Sequence, residues 1–277
     1  MDLNTIDASE RPRGRDEIAA LAAGPGDAWL AGGTWLFSEP QPRLKRLIDL
    51  SRLDWPPLSL DERGLSISAT CTIATLHAFA APKEWTAARL IRQCCNAFLA
   101  SFKIWNMATV GGNLCNALPA GPMISLCAAL EGTCAIWTPD GGEREVSVVD
   151  FVQGPQRPAL RPGELLRAIV LPAEALKRKT AFRQISLTRL GRSGALLIGS
   201  VASAGGFVLT VTASTRRPVR IVFEGLPRRA ELDARLEADI PQTLYYDDIH
   251  GRPDWRRHMT FEFAGEIRDE FARGASA

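Results

Sequence analysis

Two glycine pairs are the residues whose type and spacing most directly suggest chemistry. Gly32-Gly33-Thr34 follows the short apolar run Ala28 to Ala31, and Gly111-Gly112-Asn113 follows Thr109-Val110. Paired glycines behind a short strand permit positive φ and remove the side chain where a ligand must come close to the backbone. Each turn also sets a small polar side chain beside exposed amides, which suits phosphate oxygens. The two turns together are expected to cradle the two phosphates of a dinucleotide without a lysine or arginine, backbone N–H groups and a helix start supplying the positive field. Neither turn is the Gly-x-Gly-x-x-Gly of a Rossmann unit or a lysine-bearing phosphate loop. Taken singly, each also reads as a tight turn without a ligand, and Thr34 and Asn113 as helix caps.

The remaining candidates are fewer. The six cysteines, Cys71, Cys94, Cys95, Cys115, Cys127 and Cys134, contain no Cys-x-x-Cys pair, so neither a disulfide scaffold nor an iron-sulfur cluster fits their spacing. Buried thiols in a reducing cytosol are the expectation. The three histidines, His77, His250 and His258, lack metal-ligand spacing, and no protein-bound metal is expected. With 33 Lys plus Arg against 31 Asp plus Glu, the net charge of +2 is too small and too evenly spread for a nucleic-acid partner. No apolar run reaches the ~20 residues of a membrane span. The Met1 to Arg15 stretch is charged where a signal peptide needs apolar residues, so the expected location is the cytoplasm.

A length of 277 residues with 46% hydrophobic content points to about two domains. The elements that must position the turns alternate between helix and strand. Helix is expected at Asp16 to Ala23, Ile73 to Ala81, Thr86 to Ala100 and from Ala120 to Leu130. Strands are expected at Ala28 to Ala31, Leu47 to Leu50, Leu65 to Ser68, Thr133 to Trp137, Glu145 to Val148 and Leu165 to Leu171. The polar N-terminus reads as frayed until Arg15. Beyond the charged Ala173 to Lys179 segment come strands at Thr180 to Leu187, Gly199 to Ala204, Gly206 to Ala213 and Val219 to Glu224, then helices at Arg228 to Ala238 and from Asp254 to about Phe271. The expectation is an α+β chain with one domain over 1–175 and a second, antiparallel sheet plus helices, over 176–277.

Several blocks resemble the FAD-binding medium subunit of molybdenum hydroxylases, the xanthine dehydrogenase and aerobic carbon monoxide dehydrogenase type. They are Ala31-Gly32-Gly33-Thr34, Asn106, and the run from Thr109-Val110-Gly111-Gly112-Asn113 through Leu114-Cys115-Asn116-Ala117 to Pro119. The likeness continues through Asp150-Phe151, the Ala159 to Leu166 stretch and Ile169 to Pro172, and reappears at Asp247-Asp248-Ile249 and Trp255-Arg256-Arg257-His258. The resemblance implies a two-subdomain FAD domain of the vanillyl-alcohol-oxidase (PCMH) type followed by a small α+β domain. It implies non-covalent FAD held by Ala31, Gly32, Gly33, Thr34, Trp35, Thr109, Gly111, Gly112 and Asn113, with Leu166 and Arg183 near the flavin ring. It also implies no acid–base residue on this chain, with 2Fe-2S clusters on a small partner subunit, molybdopterin on a large one, and a heterotrimer or a dimer of heterotrimers as the assembly. Electrons would pass from the clusters through the flavin to NAD, oxygen or another acceptor.

The chain departs from that pattern near the expected cofactor. Trp35 stands where the family commonly has an acidic residue, Trp105 where it often has arginine, Pro122 where an aspartate bonds the FAD ribose, and Arg183 where lysine is found. Trp35 and Trp105 read either as stacking surfaces for the cofactor or as core or interface aromatics. Trp35 and Pro122 keep a flavin-free assembly subunit open as a rival reading; a second rival is a stand-alone flavin reductase of the enolpyruvyl-sugar reductase type, against which the Asp247-Asp248 and Trp255-Arg256-Arg257-His258 resemblance argues.

Overall fold

A computed structural model describes residues 3–202 and 205–274, so Ser203 and Ala204 of the expected fifth-to-last element lie outside the described residues. The chain opens with β1 (Ala8–Glu10), α1 (Arg15–Ala20), β2 (Asp27–Leu30) and β3 (Arg46–Asp49), forming a parallel sheet in the order β1-β3-β2. The N-terminus is therefore not frayed up to Arg15. All three residues of β1 are exposed, so no apolar alternation marks them; backbone pairing with β3 alone holds them.

A five-stranded antiparallel sheet follows, built from β4 (Leu58–Asp61) and β5 (Gly64–Ser68), then β6 (Thr133–Trp137), β7 (Glu143–Ser147) and β10 (Leu165–Pro172), with β10 in the middle. Helices α2 (Ile73–His77), α3 (Arg89–Ala97), α4 (Phe102–Trp105), α5 (Val110–Asn116) and α6 (Pro122–Ala129) lie between β5 and β6. Between β7 and β10 come α7 (Val148–Phe151) and the two-stranded pair β8 (Val152–Gly154) and β9 (Arg157–Pro158). Every residue of α6 is buried, as expected of a helix that is apolar all round. Its one polar side chain, Ser125, is satisfied by the Thr212 hydroxyl at 2.7 Å.

The short helix α8 (Ala173–Leu176) leads to a second antiparallel sheet, β11 (Lys179–Ile185), β12 (Ala195–Ala202), β13 (Gly205–Thr212) and β14 (Val219–Phe223), in sequential order. Helices α9 (Arg229–Asp239) and α10 (Pro253–Gly274) cover one face. The strands alternate between two cores. Leu197, Leu209 and Val211 pack with Phe263, Ala264 and Ile267 of α10, while Leu196 and Ile198 join the same buried cluster as α3 and α6. Thus α6 lies buried against β12 and β13 of the second sheet on one side and α3, α5 and α7 on others. Arg256 is fully buried, donating to the carbonyls of Gly194 (2.6 Å), Ala213 (2.5 Å) and Gly251 (2.9 Å) and to the Asp248 carboxylate.

Two hydrogen bonds, one from β2 and one from α1, tie the N-terminal elements to the five-stranded sheet and its β6–β7 turn. The Trp29 indole donates to the Glu164 carbonyl at 2.9 Å, and Arg15 donates to the Gly142 carbonyl at 2.5 Å. Glu164 itself is buried and accepts from Arg144 Nε (2.7 Å) and Nη2 (2.5 Å) and from the Arg161 amide (2.7 Å). The Arg144 guanidinium, with the Arg161 amide, holds the Glu164 carboxyl below its ordinary value. A lowered folded-state pKa gives stability that is present above the ordinary value near 4.5 and is lost as pH falls through the folded one. Glu164→Leu should therefore cost about 3–5 kcal/mol near neutral pH, since it strands the Arg144 charge. The same variant should lose part of the acid dependence of stability. Denaturant unfolding of both proteins between pH 3 and about 7 checks this; parallel pH profiles would contradict it.

Candidate functional site

A cavity of about 450 Å³ opens where the loop after β2 meets the α3–α4 connection, α5 and the start of α6. That volume falls within the usual range for small-molecule and cofactor sites. One wall is the glycine loop from Ala31 to Leu36. Another is apolar, with Phe98, Leu99 and Ile104; the floor carries Thr109, Gly112, Asn113 and Asn116. Among the described residues the lining includes no aspartate or glutamate, and its one cationic side chain is Arg192.

The first loop is built to approach other backbone. A Cβ on Gly32 would stand 1.8 Å from the Met107 carbonyl oxygen, and Gly33 adopts φ +68°. The turn is closed by the Phe37 amide donating to the Gly33 carbonyl at 2.9 Å and the Ser38 amide to the Trp35 carbonyl at 2.9 Å. The intervening amides are left over. Those of Gly32, Gly33, Thr34, Trp35 and Leu36 find no acceptor among the described residues. Five successive unpaired N–H groups beside a cavity form a ready site for oxygen acceptors, because buried or half-buried amides need partners.

The second glycine block behaves differently. Rather than an open turn it is the first turn of α5, capped by the Thr109 hydroxyl, which accepts from the Gly112 amide at 3.0 Å. The Val110 amide donates to the Cys71 carbonyl (2.9 Å) and the Gly111 amide to the Ala69 carbonyl (3.0 Å). Asn113 caps the next helix: its Oδ1 accepts from the Met123 amide at 3.1 Å. The expectation that both turns present exposed amides is therefore corrected for Gly111 and Gly112, whose N–H groups are spent on protein acceptors. Glycine is needed at 111 for packing, since a Cβ there would lie 2.5 Å from Ala69 Cβ.

The structure brings Ala31, Gly32, Gly33, Thr34, Trp35, Thr109, Gly112 and Asn113 to one cavity, with Gly111 directly behind it. Leu166 and Arg183 do not line it. Leu166 is buried in the main core. Arg183 shares its strand face with Ala181 and Ile185, which pack in the C-terminal core, and it pairs with Glu266 (2.6 Å) and Glu270 (2.9 Å) of α10. Strand parity thus turns Arg183 away from the cavity and toward α10. Pro122 lines the site as the first residue of α6, while Trp105 donates to the Phe98 carbonyl at 2.9 Å and meets His77 edge-on. Cys115 also faces the cavity, but burial pushes its thiol up to about 12, which leaves it no nucleophilic character near neutral pH. Sequence reasoning missed Arg192 and Asn116. Asn116 stood inside the recognised block, but Arg192 comes from the β11–β12 loop and carried no local signal.

With this geometry in place, comparison with known proteins is decisive. The family described as the FAD binding domain in molybdopterin dehydrogenase matches residues 8–174. This chain belongs to that family. Among members of the molybdopterin dehydrogenase group, the carbon monoxide dehydrogenase medium chain of Afipia carboxidovorans is 32% identical over 196 residues, covering 64% of this chain and 66% of that protein. The glyceraldehyde dehydrogenase medium chain of Sulfolobus acidocaldarius is 32% identical over 151 residues, 54% of this chain and 50% of that one. The matched stretches thus span about two thirds or less of those relatives. In fold the chain is similar to carbon monoxide dehydrogenase from Oligotropha carboxidovorans, with TM-score 0.80 and 22% identity over 97% of this chain and 98% of that chain. Quinoline 2-oxidoreductase from Pseudomonas putida 86 gives TM-score 0.80 and 20% identity over 100% of both chains. The α+β, PCMH-type fold is that of the molybdopterin dehydrogenase FAD-binding domains.

Because Gly111 packs against Ala69 rather than against a ligand, Gly111→Ala should lower stability by ~1–3 kcal/mol through overpacking, with or without cofactor. Denaturant unfolding of flavin-free protein checks this. A variant as stable as the parent would show that the contact is not what demands glycine.

Proposed function

We propose that this chain is the FAD-binding, electron-transferring subunit of a molybdenum-dependent hydroxylase. Its family membership and five unpaired loop amides support the reading together, and the amides carry it. They line a cavity that includes no aspartate or glutamate, so nothing there repels a diphosphate. FAD, when bound, supplies reversible electron transfer between a donor and an acceptor. The protein's part is to bind and orient it. Gly32 to Leu36 offer donors to the diphosphate, Thr34 and Asn116 offer polar side chains, and Phe98, Leu99 and Ile104 provide an apolar wall that excludes water.

The donor side of the reading places 2Fe-2S clusters on a small subunit and the molybdopterin on a large one. The relatives are themselves named as medium chains, which fits a chain of intermediate place in a complex. A heterotrimer, or its dimer, is the proposed assembly, with NAD, oxygen or another acceptor as the outlet. The six free cysteines support a cytoplasmic location.

One observation favours a second reading. With Trp35 and Pro122 in the lining and no carboxylate among its described residues, a bound FAD would find no charged acceptor there for its ribose hydroxyls. Losing one such bond weakens binding by ~1.5–3 kcal/mol, roughly ten- to a hundredfold. A subunit that kept the scaffold but lost flavin would serve assembly. Release of cofactor by heat from the protein purified with its co-purifying subunits separates the two. Near one FAD per chain is expected; no flavin, and no binding of added FAD, leaves the assembly role.

A further inference from the structure

The cavity's charge balance is incomplete without one residue that neither the glycine turns nor the family resemblance points to. A diphosphate brings negative charge, and the usual fixed compensation would be the amides at nearby helix starts. Here those amides are already committed. At α5, Val110 donates to Cys71, Gly111 to Ala69 and Gly112 to the Thr109 hydroxyl. At α6, Pro122 has no N–H, Met123 donates to Asn113 Oδ1 at 3.1 Å and Ile124 to the Gly121 carbonyl at 3.1 Å. What remains is the neutral row of amides from Gly32 to Leu36 and a single full charge, Arg192.

Arg192 stands at the cavity from the side opposite in sequence, on the loop joining β11 and β12. Its guanidinium forms no ion pair or hydrogen bond with the described residues. The base of its loop is nevertheless fixed. The Gly194 amide donates to the Ile185 carbonyl at 2.8 Å, Gln184 Nε2 to the buried Ser193 hydroxyl at 2.9 Å, and the buried Arg256 holds the Gly194 carbonyl at 2.6 Å. A free cation on an anchored base, aimed at a cavity without carboxylates, is arranged to meet an anion.

We propose that Arg192 is the countercharge for the diphosphate of bound FAD, so that the C-terminal sheet supplies the cationic half of a site whose amide half comes from the first glycine loop. This rests on the flavin reading above. The proposal makes Arg192 a cofactor-binding residue that ties the two halves of the chain together through the ligand.

Calorimetric titration of the full chain with FAD, ADP and riboflavin, each at low and high salt, tests it. ADP carries the diphosphate without the ring, and riboflavin the ring without phosphate. Arg192→Gln should weaken FAD and ADP roughly ten- to a hundredfold, flatten their salt dependence and leave riboflavin unchanged. Arg192→Lys should recover most of the loss, because the charge returns. Neither variant should unfold, since the side chain is exposed and has no protein partner. Unchanged FAD and ADP affinity in Arg192→Gln overturns the proposal, as does a loss confined to riboflavin. Failure of the parent protein to bind FAD at all overturns instead the flavin reading beneath it.

Discussion

The site depends on one backbone approach, Gly32 against the carbonyl of Met107. A methyl group at that position would overlap the oxygen at 1.8 Å, so only glycine lets the first loop close onto the segment entering α5. That contact brings together parts of the chain that are far apart in sequence. The small parallel sheet carries the loop; Trp29, bonded to the Glu164 carbonyl, fixes it to β10's sheet; and the start of α6, a helix buried against the second sheet, contributes Pro122 to the lining. These elements cannot slide without breaking the Trp29 hydrogen bond or opening the close approach of Gly32 to Met107.

Two glycine blocks that look alike therefore do different work. In the first, the chain turns so sharply after β2 that five amides lose any acceptor, and glycine's freedom serves exposure of donors. In the second, the glycines lie in the opening turn of a helix that packs on Ala69, and their amides are consumed by Ala69 and Thr109. The difference follows from what each block leads into. A loop leaves its donors free, whereas a capped helix start satisfies them. The cavity consequently has directional polarity: a row of donors on one side, apolar side chains on another, and its one charge from the C-terminal sheet.

Much of this was legible in the sequence, and the limits have physical reasons. Strands with strong apolar content, such as β6 over Thr133–Trp137 and β10 over Leu165–Pro172, were found almost to the residue because burial imposes their pattern. The exposed β1 carries no such pattern, since pairing rather than burial holds it. The residues of the first glycine loop were found because its glycines answer a local demand for close approach. Helix α5 reads as a turn in the sequence because glycines weaken helix propensity; the Thr109 cap and the bonds to the Cys71 and Ala69 carbonyls override that. The resemblance sets Arg183 near the flavin ring, whereas period-two alternation from Ala181 sets it on the α10 side. Arg192 was invisible because its nearness to the glycine loop is created only by the fold.

Residue-resolved hydrogen exchange on the chain with and without FAD measures the central claim most directly, because it reads the loop amides one by one. Bound FAD should slow exchange at Gly32 to Leu36 strongly. The amides of Val110 to Asn113, already hydrogen-bonded, should change far less. Protection concentrated at Val110 to Asn113, with Gly32 to Leu36 unaffected, would contradict the assignment of the first loop as the diphosphate cradle.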